Sequence, residues 1–147
     1  MAHPIYLVSA CLAGRCCRYD GRANEHPLCR QLVQKGLAIP VCPECDGGLP
    51  TPRPPAEIQG DRVITCQGQD VTEAYEKGAQ IALETAQKFG ISKAILKARS
   101  PSCGSGQIYD GTFSHRLVPG IGVTCALLNS HGIQVYSEEE LAETFTD

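Results

Sequence analysis

Cys11, Cys42 and Cys103 each lie just past a short apolar run that reads as a β-strand: Ile5-Tyr-Leu-Val-Ser9, Leu37-Ala-Ile-Pro-Val41 and Lys93-Ala-Ile-Leu-Lys97. Strands of a parallel sheet end on a common edge and lie about 4.8 Å apart. Ligands of open α/β sheets bind beyond that edge. Three thiols from distant segments are therefore expected to meet there, which is a pattern for metal or cluster binding. Thiolates select iron–sulfur clusters or zinc among the common metals. A structural zinc site takes four protein ligands, often as two paired motifs, and only Cys42-Pro-Glu-Cys45 has paired spacing here. Three thiolates on a 4Fe–4S cluster would leave one iron open to a substrate atom, a Lewis-acid position.

The residues around these cysteines add reactive groups. Glu44, two residues from Cys42, is a solvated carboxylate or, beside a cluster in a closed loop, a general-base candidate. Ser100-Pro-Ser-Cys-Gly-Ser-Gly106 offers hydroxyls and backbone amides. Ser100 or Ser102 could act as nucleophile or substrate donor, with Ser102 and Gly104 as substrate-binding candidates. The Walker pattern with its lysine is absent, which argues against nucleotide hydrolysis. Cys42-Pro-Glu-Cys45 also has the spacing of a thioredoxin-type redox pair, although Asp46-Gly-Gly-Leu-Pro50 is a poor helix start. Arg53 and Arg99 could face a cluster's negative charge or a substrate oxygen, or lie on the surface. Cys16 and Cys17 read as packing residues or as a spare ligand or sulfur carrier. Cys66 and Cys125 read as core within a strand and a helix, and Cys29 lies on the first helix. None of the four histidines forms a local ligand or triad motif.

Positioning these groups requires an alternation of strands and helices. Strands are expected at about 4–9, 37–41, 93–97 and 133–136. Helices are expected at about 26–35, 71–89 and 122–131, with a last one beginning after Ser137. Asp70 with Glu73, and Ser137 with Glu140, have capping-box spacing. Val71, Tyr75, Ala79, Ala82, Ala86 and Phe89 form one apolar helical face, and Gly36, Gly90 and Gly132 read as helix stops. A hairpin is expected from strands at about 56–58 and 62–66. Leu49-Pro-Thr-Pro-Arg-Pro-Pro55 reads as a stiff extended segment. Residues 98–120 read as one long loop, a length that suggests function. The expected architecture is α/β: one domain over 1–147, small and Rossmann-like, three-layered, with a central, mostly parallel sheet of about four strands plus a short hairpin.

Composition narrows the function classes. The 147 residues carry a net charge of −3, with 42% hydrophobic and 20% charged residues. That balance suits a soluble globular protein and argues against a general nucleic-acid binder. No apolar stretch approaches the roughly 20 residues that span a bilayer. Met1-Ala-His-Pro lacks a basic-then-apolar signal, so a cytoplasmic location is expected. Nine cysteines in such a chain point to metal or thiol chemistry rather than disulfides.

The chain resembles the thiouracil desulfidase family. The blocks that carry the likeness are Val8-Ser-Ala-Cys-Leu12, Cys17-Arg-Tyr-Asp-Gly21, Val41-Cys-Pro-Glu44 and Gly47-Gly-Leu-Pro-Thr-Pro-Arg-Pro-Pro-Ala-Glu-Ile58, followed by Ser100-Pro-Ser-Cys-Gly104, Ile108-Tyr-Asp-Gly-Thr-Phe113 and Ser137-Glu-Glu-Glu-Leu141. They extend over nearly the whole chain. The resemblance implies a 4Fe–4S cluster on Cys11, Cys42 and Cys103, with one open iron. It also implies non-redox removal of sulfur from thiolated uracil, with Glu44 and Ser100 catalytic. Cys16 and Cys45 fall outside the positions the family motif requires, and Cys16, Cys17 or Cys45 stays open as a replacement ligand.

The expected reaction is hydrolytic. The C=S sulfur coordinates the open iron, Glu44 takes a proton from water or Ser100, and sulfide is left on the cluster. The expected partner is a small thiolated pyrimidine, since the acidic balance disfavours intact RNA. Two rivals stand beside this reading: a non-enzymatic iron–sulfur or thiol redox sensor or cluster carrier, and a zinc-stabilised binding module.

Overall fold

The computed structural model describes residues 4–140. Four parallel strands form the central sheet: β1 (Tyr6–Ser9), β2 (Ala38–Val41), β5 (Lys93–Leu96) and β8 (Gln134–Ser137), in the order β2-β1-β5-β8. Tyr6 lies opposite Ala38 on one side and Lys93 on the other. Alternation along the strands divides the core between two faces. Leu7, Ala94 and Leu96 point to one, with Ala82, Leu83 and Ala86 of α3 (Thr72–Phe89) and Leu128 of α4 (Val123–Ser130). Val8 and Ile95 point to the other, with Cys29 of α1 (Pro27–Gln34). The result is three layers, α1 on one face and α3 with α4 on the opposite one. Such strands are buried on both faces, as parallel strands usually are.

Local chemistry sets the element ends. Pro27 takes the first position of α1, where its missing N–H costs nothing. Gly90 closes α3 at φ 66°, a left-handed conformation that favours glycine. Helix α3 starts at Thr72, one residue later than the periodicity suggests, with Val71 as N-cap. Asp70 still holds the entry by accepting from the Thr72 N–H at 3.0 Å and its hydroxyl at 2.6 Å, without the Glu73 half of a capping box. At Ser137 the expected reciprocal pair is present. Glu140 Oε1 accepts from the Ser137 N–H at 2.9 Å, and Ser137 Oγ accepts from the Glu139 N–H at 3.2 Å. It opens a 3-10 turn, Glu138–Glu140. The rest of the expected final helix lies outside the described residues.

Two sequence expectations are corrected. Residues 98–120 are not one loop: they contain a hairpin of β6 (Gln107–Tyr109) and β7 (Leu117–Pro119). Three-residue strands are too short to show alternation, so the sequence concealed them. The expected hairpin of β3 (Ala56–Gln59) and β4 (Arg62–Thr65) is present. It grips the new one: the buried Glu57 carboxylate accepts from the Gly111 and Phe113 N–H groups at 2.9 and 3.2 Å.

The second correction concerns Pro43–Asp46, which is a single helical turn, α2, with Cys42 as N-cap and Pro43 at the first position. Packing on α3 holds it. A Cβ on Gly47 would run into the Ala74 carbonyl, and one on Gly78 into the Pro43 carbonyl. Gly78→Ala is therefore expected to lower the unfolding free energy by about 1–3 kcal/mol, the usual cost of overpacking. Urea denaturation measures it, and a loss below about 0.5 kcal/mol would show that α3 does not pin this turn.

Candidate active site

Beyond the carboxyl ends of the strands lies a cavity of about 480 Å³ lined by Cys11, Cys42 and Cys103, together with Cys17. Each arrives on a different device. Cys11 sits in a 3-10 turn, Ala10–Ala13, that follows β1 and closes on Gly14 at φ 100°. Cys42 joins β2 to α2. Cys103 lies in a turn after β5 that is laced to the start of α4: the Val123 and Thr124 N–H groups donate to the Pro101 and Ser102 carbonyls at 2.9 and 2.8 Å. Gly122 allows that approach, since a Cβ there would collide with the Ser102 backbone.

Three of these thiols are biased toward the neutral form. Burial pushes Cys103 up to about 12. Contact with the Cys11 thiol, more than burial, pushes Cys17 up to about 11. Contact with Cys17, then burial, holds Cys42 well above the usual thiol range. A coordinated cation is what would release such protons. Among the described residues, no three His, Cys, Asp or Glu side chains converge closely enough for one metal ion. The thiols line a space rather than a point. That spread suits a cluster, in which each thiolate binds a different iron, better than a four-coordinate zinc.

A hydrogen-bonded pair of reactive groups shares the cavity. Ser100 Oγ donates to Glu44 Oε1 at 3.4 Å and accepts from the Ser102 and Cys103 N–H groups at 3.0 and 3.1 Å. Those two amides fix the oxygen and are placed to stabilise charge on it. The opposite carboxylate oxygen, Glu44 Oε2, accepts from Arg53 Nε at 3.0 Å and Nη2 at 2.8 Å. Arg53, 5% exposed, is thus no surface charge. It also donates to the Cys17 carbonyl at 3.0 Å, the Thr51 hydroxyl at 3.1 Å and the Pro50 carbonyl at 3.2 Å. The buried Tyr75 phenol of α3 is raised above its ordinary range, first by burial and then by the nearby Glu44 charge.

Other candidates are placed elsewhere. Ser102 is fully buried, shares a 2.8 Å hydrogen bond with Thr124 and does not line the cavity. Gly104 does not line it either. Its N–H bonds the Ser100 carbonyl at 2.9 Å, its carbonyl accepts from Gly122, and a Cβ would lie 2.9 Å from the Ser100 carbonyl oxygen. Both residues brace the loop that carries Ser100 and Cys103. Cys16 is exposed and Cys45 half-buried, and neither faces the cavity. Cys66 is exposed at the rim just past β4 rather than in the core, whereas Cys29 and Cys125 are buried. Arg99 lines the cavity at φ 67° and pairs with Glu139 at 2.9 Å. Tyr109, Phe113 and His115 of the unexpected hairpin also line the wall. Only the Ile108–Phe113 block marked that region in sequence.

The chain is similar to known proteins over nearly its whole length. A family model described as 2-thiouracil desulfurase matches residues 6–140. The uncharacterised protein YbbK of Bacillus subtilis (strain 168) is 47% identical over 145 residues, covering 92% of this chain and 96% of that protein. A solved structure titled [4Fe-4S]-dependent thiouracil desulfidase TudS superposes with a TM-score of 0.90 at 50% identity, covering 96% of this chain and 94% of that one.

Removing one member of a buried ion pair strands the other, at about 3–5 kcal/mol. Arg53→Met is expected to destabilise the protein by about that much in urea unfolding, because Glu44 is only 16% exposed. A loss under about 1 kcal/mol, the value of a surface pair, would contradict the clamp.

Proposed function

The chain belongs to the 2-thiouracil desulfurase family, and from that premise we propose that it removes sulfur from a small thiolated uracil with the help of a 4Fe–4S cluster. Cys11, Cys42 and Cys103 would hold the cluster and leave one iron without a protein ligand. When bound, the cluster supplies a soft Lewis acid suited to a thiocarbonyl sulfur. The observation that supports an enzyme over a sensor or carrier is the Ser100–Glu44 pair inside the thiol-lined cavity. A carrier has no use for an oriented hydroxyl and its base.

The chain's own residues divide the work. Arg53 fixes one oxygen of Glu44 and leaves the other for Ser100. Glu44 accepts the Ser100 proton while Ser100 Oγ attacks the thiocarbonyl carbon, and the carbon–sulfur bond breaks to release hydrosulfide, which carries off the ring N–H proton. Water then attacks the same carbon and returns one proton to the ring nitrogen; Ser100 departs with the proton held by Glu44, and the second water proton leaves to solvent as a carbonyl replaces the thiocarbonyl. No electron is gained or lost overall. The Ser102 and Cys103 N–H groups hold Ser100 Oγ during its ionisation. A cavity of about 480 Å³ has room for a pyrimidine. No helix among the described residues is long and apolar enough to cross a membrane. Nine free cysteines suit a reducing cytoplasm.

Two substitutions test the assignment. Cys103→Ala is expected to abolish cluster absorbance, bound iron and turnover together, and an iron-free preparation with full activity would end the proposal. Glu44→Gln should keep the iron but lose about two to four powers of ten in rate, the range for a general base. A near-wild-type rate would remove Glu44 from the chemistry.

A further inference from the structure

Cys45 takes no part in the proposed reaction, yet its thiol and that of Cys42 converge on a single backbone oxygen. The two stand at the N-cap and third position of α2, separated by Pro43 and Glu44. Both sulfurs point at one acceptor, the Cys17 carbonyl, at 3.8 Å each. Both are free thiols. Helix geometry brings them together because α2 does form, which the Asp46-Gly-Gly run had argued against. The carbonyl and the packing of α2 on α3 then keep them facing.

Their exposure differs in a useful way. Cys42 is buried at the cavity wall, while Cys45 is half-buried and lies off the cavity lining. An oxidant arriving from solvent meets Cys45 first.

We propose that Cys42 and Cys45 form a reversible disulfide in cluster-free protein, so that a small disulfide such as oxidised glutathione closes the site to reloading until a thiol reductant reopens it. Cys45 attacks one sulfur of the small disulfide and releases one thiol, leaving a mixed disulfide. Cys42 then attacks the Cys45 sulfur and releases the second thiol. Two protein thiols are oxidised to one disulfide, and the small disulfide is reduced to two thiols. The consequence for reloading rests on the reading of Cys42 as a cluster ligand; the disulfide itself does not. Cys17, which also touches Cys42, is the competing partner.

The experiment uses the full-length protein, stripped of iron by a chelator and exposed to oxidised glutathione. Remaining thiols are alkylated in denaturant and peptides are mapped by mass spectrometry. Iron binding is then measured on adding iron and sulfide, before and after dithiothreitol. The expected result is a peptide in which Cys42 and Cys45 both escape alkylation, with iron uptake lost until reductant is added. Cys45→Ser should remove that protected pair while the untreated variant still binds iron, and Cys17→Ser should leave the pair intact. A bond from Cys42 to Cys17, or free alkylation of Cys45, would overturn the proposal. Iron uptake by the oxidised protein without reductant would also overturn it. A protein that forms the Cys42–Cys45 bond but never turns over thiouracil would instead refute the proposed function alone.

Discussion

The guanidinium of Arg53 is the contact on which the cavity wall depends. It joins three stretches with no regular pairing between them: the loop at Cys17, the proline-rich segment at Pro50 and Thr51, and the helical turn that carries Glu44. Burial makes this a demanding arrangement, because a charge that leaves water must recover its hydrogen bonds. Arg53 does so with one carboxylate and four neutral acceptors, the Cys45 sulfur at 3.7 Å among them. The planar fork of arginine allows that spread, which a lysine could not reproduce. Its chemical effect is orientation: Glu44 presents its remaining oxygen to Ser100.

Fold and chemistry meet at the edge of the sheet. With β1 central and β2 and β5 on either side, the segments after these strands converge where the crossovers diverge, which is where α/β sheets bind ligands. The wall facing them is brought by the two hairpins, held together through Glu57. Buried thiols are poor anions in such a place. The raised Cys42 and Cys103 thiols would have to give up their protons to any metal they bind.

Much of this was legible in the amino-acid order. Short apolar runs, glycine stops and three cysteines just past three of those runs pointed to the sheet and to a shared edge. What escaped the sequence arose from tertiary packing. The α2 turn exists because Gly47 and Gly78 let two backbones approach, and no local signal outweighs Asp46-Gly-Gly there. The β6–β7 hairpin is too short to declare itself. Ser102 looked like a twin of Ser100 in sequence, but the turn aims one hydroxyl at Glu44 and the other at Thr124. The sequence leaves Arg53 open between the site and the surface, because no local pattern marks Glu44 as its partner.

In the proposed function, protein sulfur claims all of the cluster's irons but one. Mössbauer spectroscopy of anaerobically reconstituted, iron-57-labelled protein tests it most directly, with thiouracil added under turnover-blocking conditions in the Ser100→Ala variant. One iron site distinct from the other three, whose signal alone shifts when thiouracil is added, is the predicted result. Equivalent irons that ignore thiouracil would contradict it.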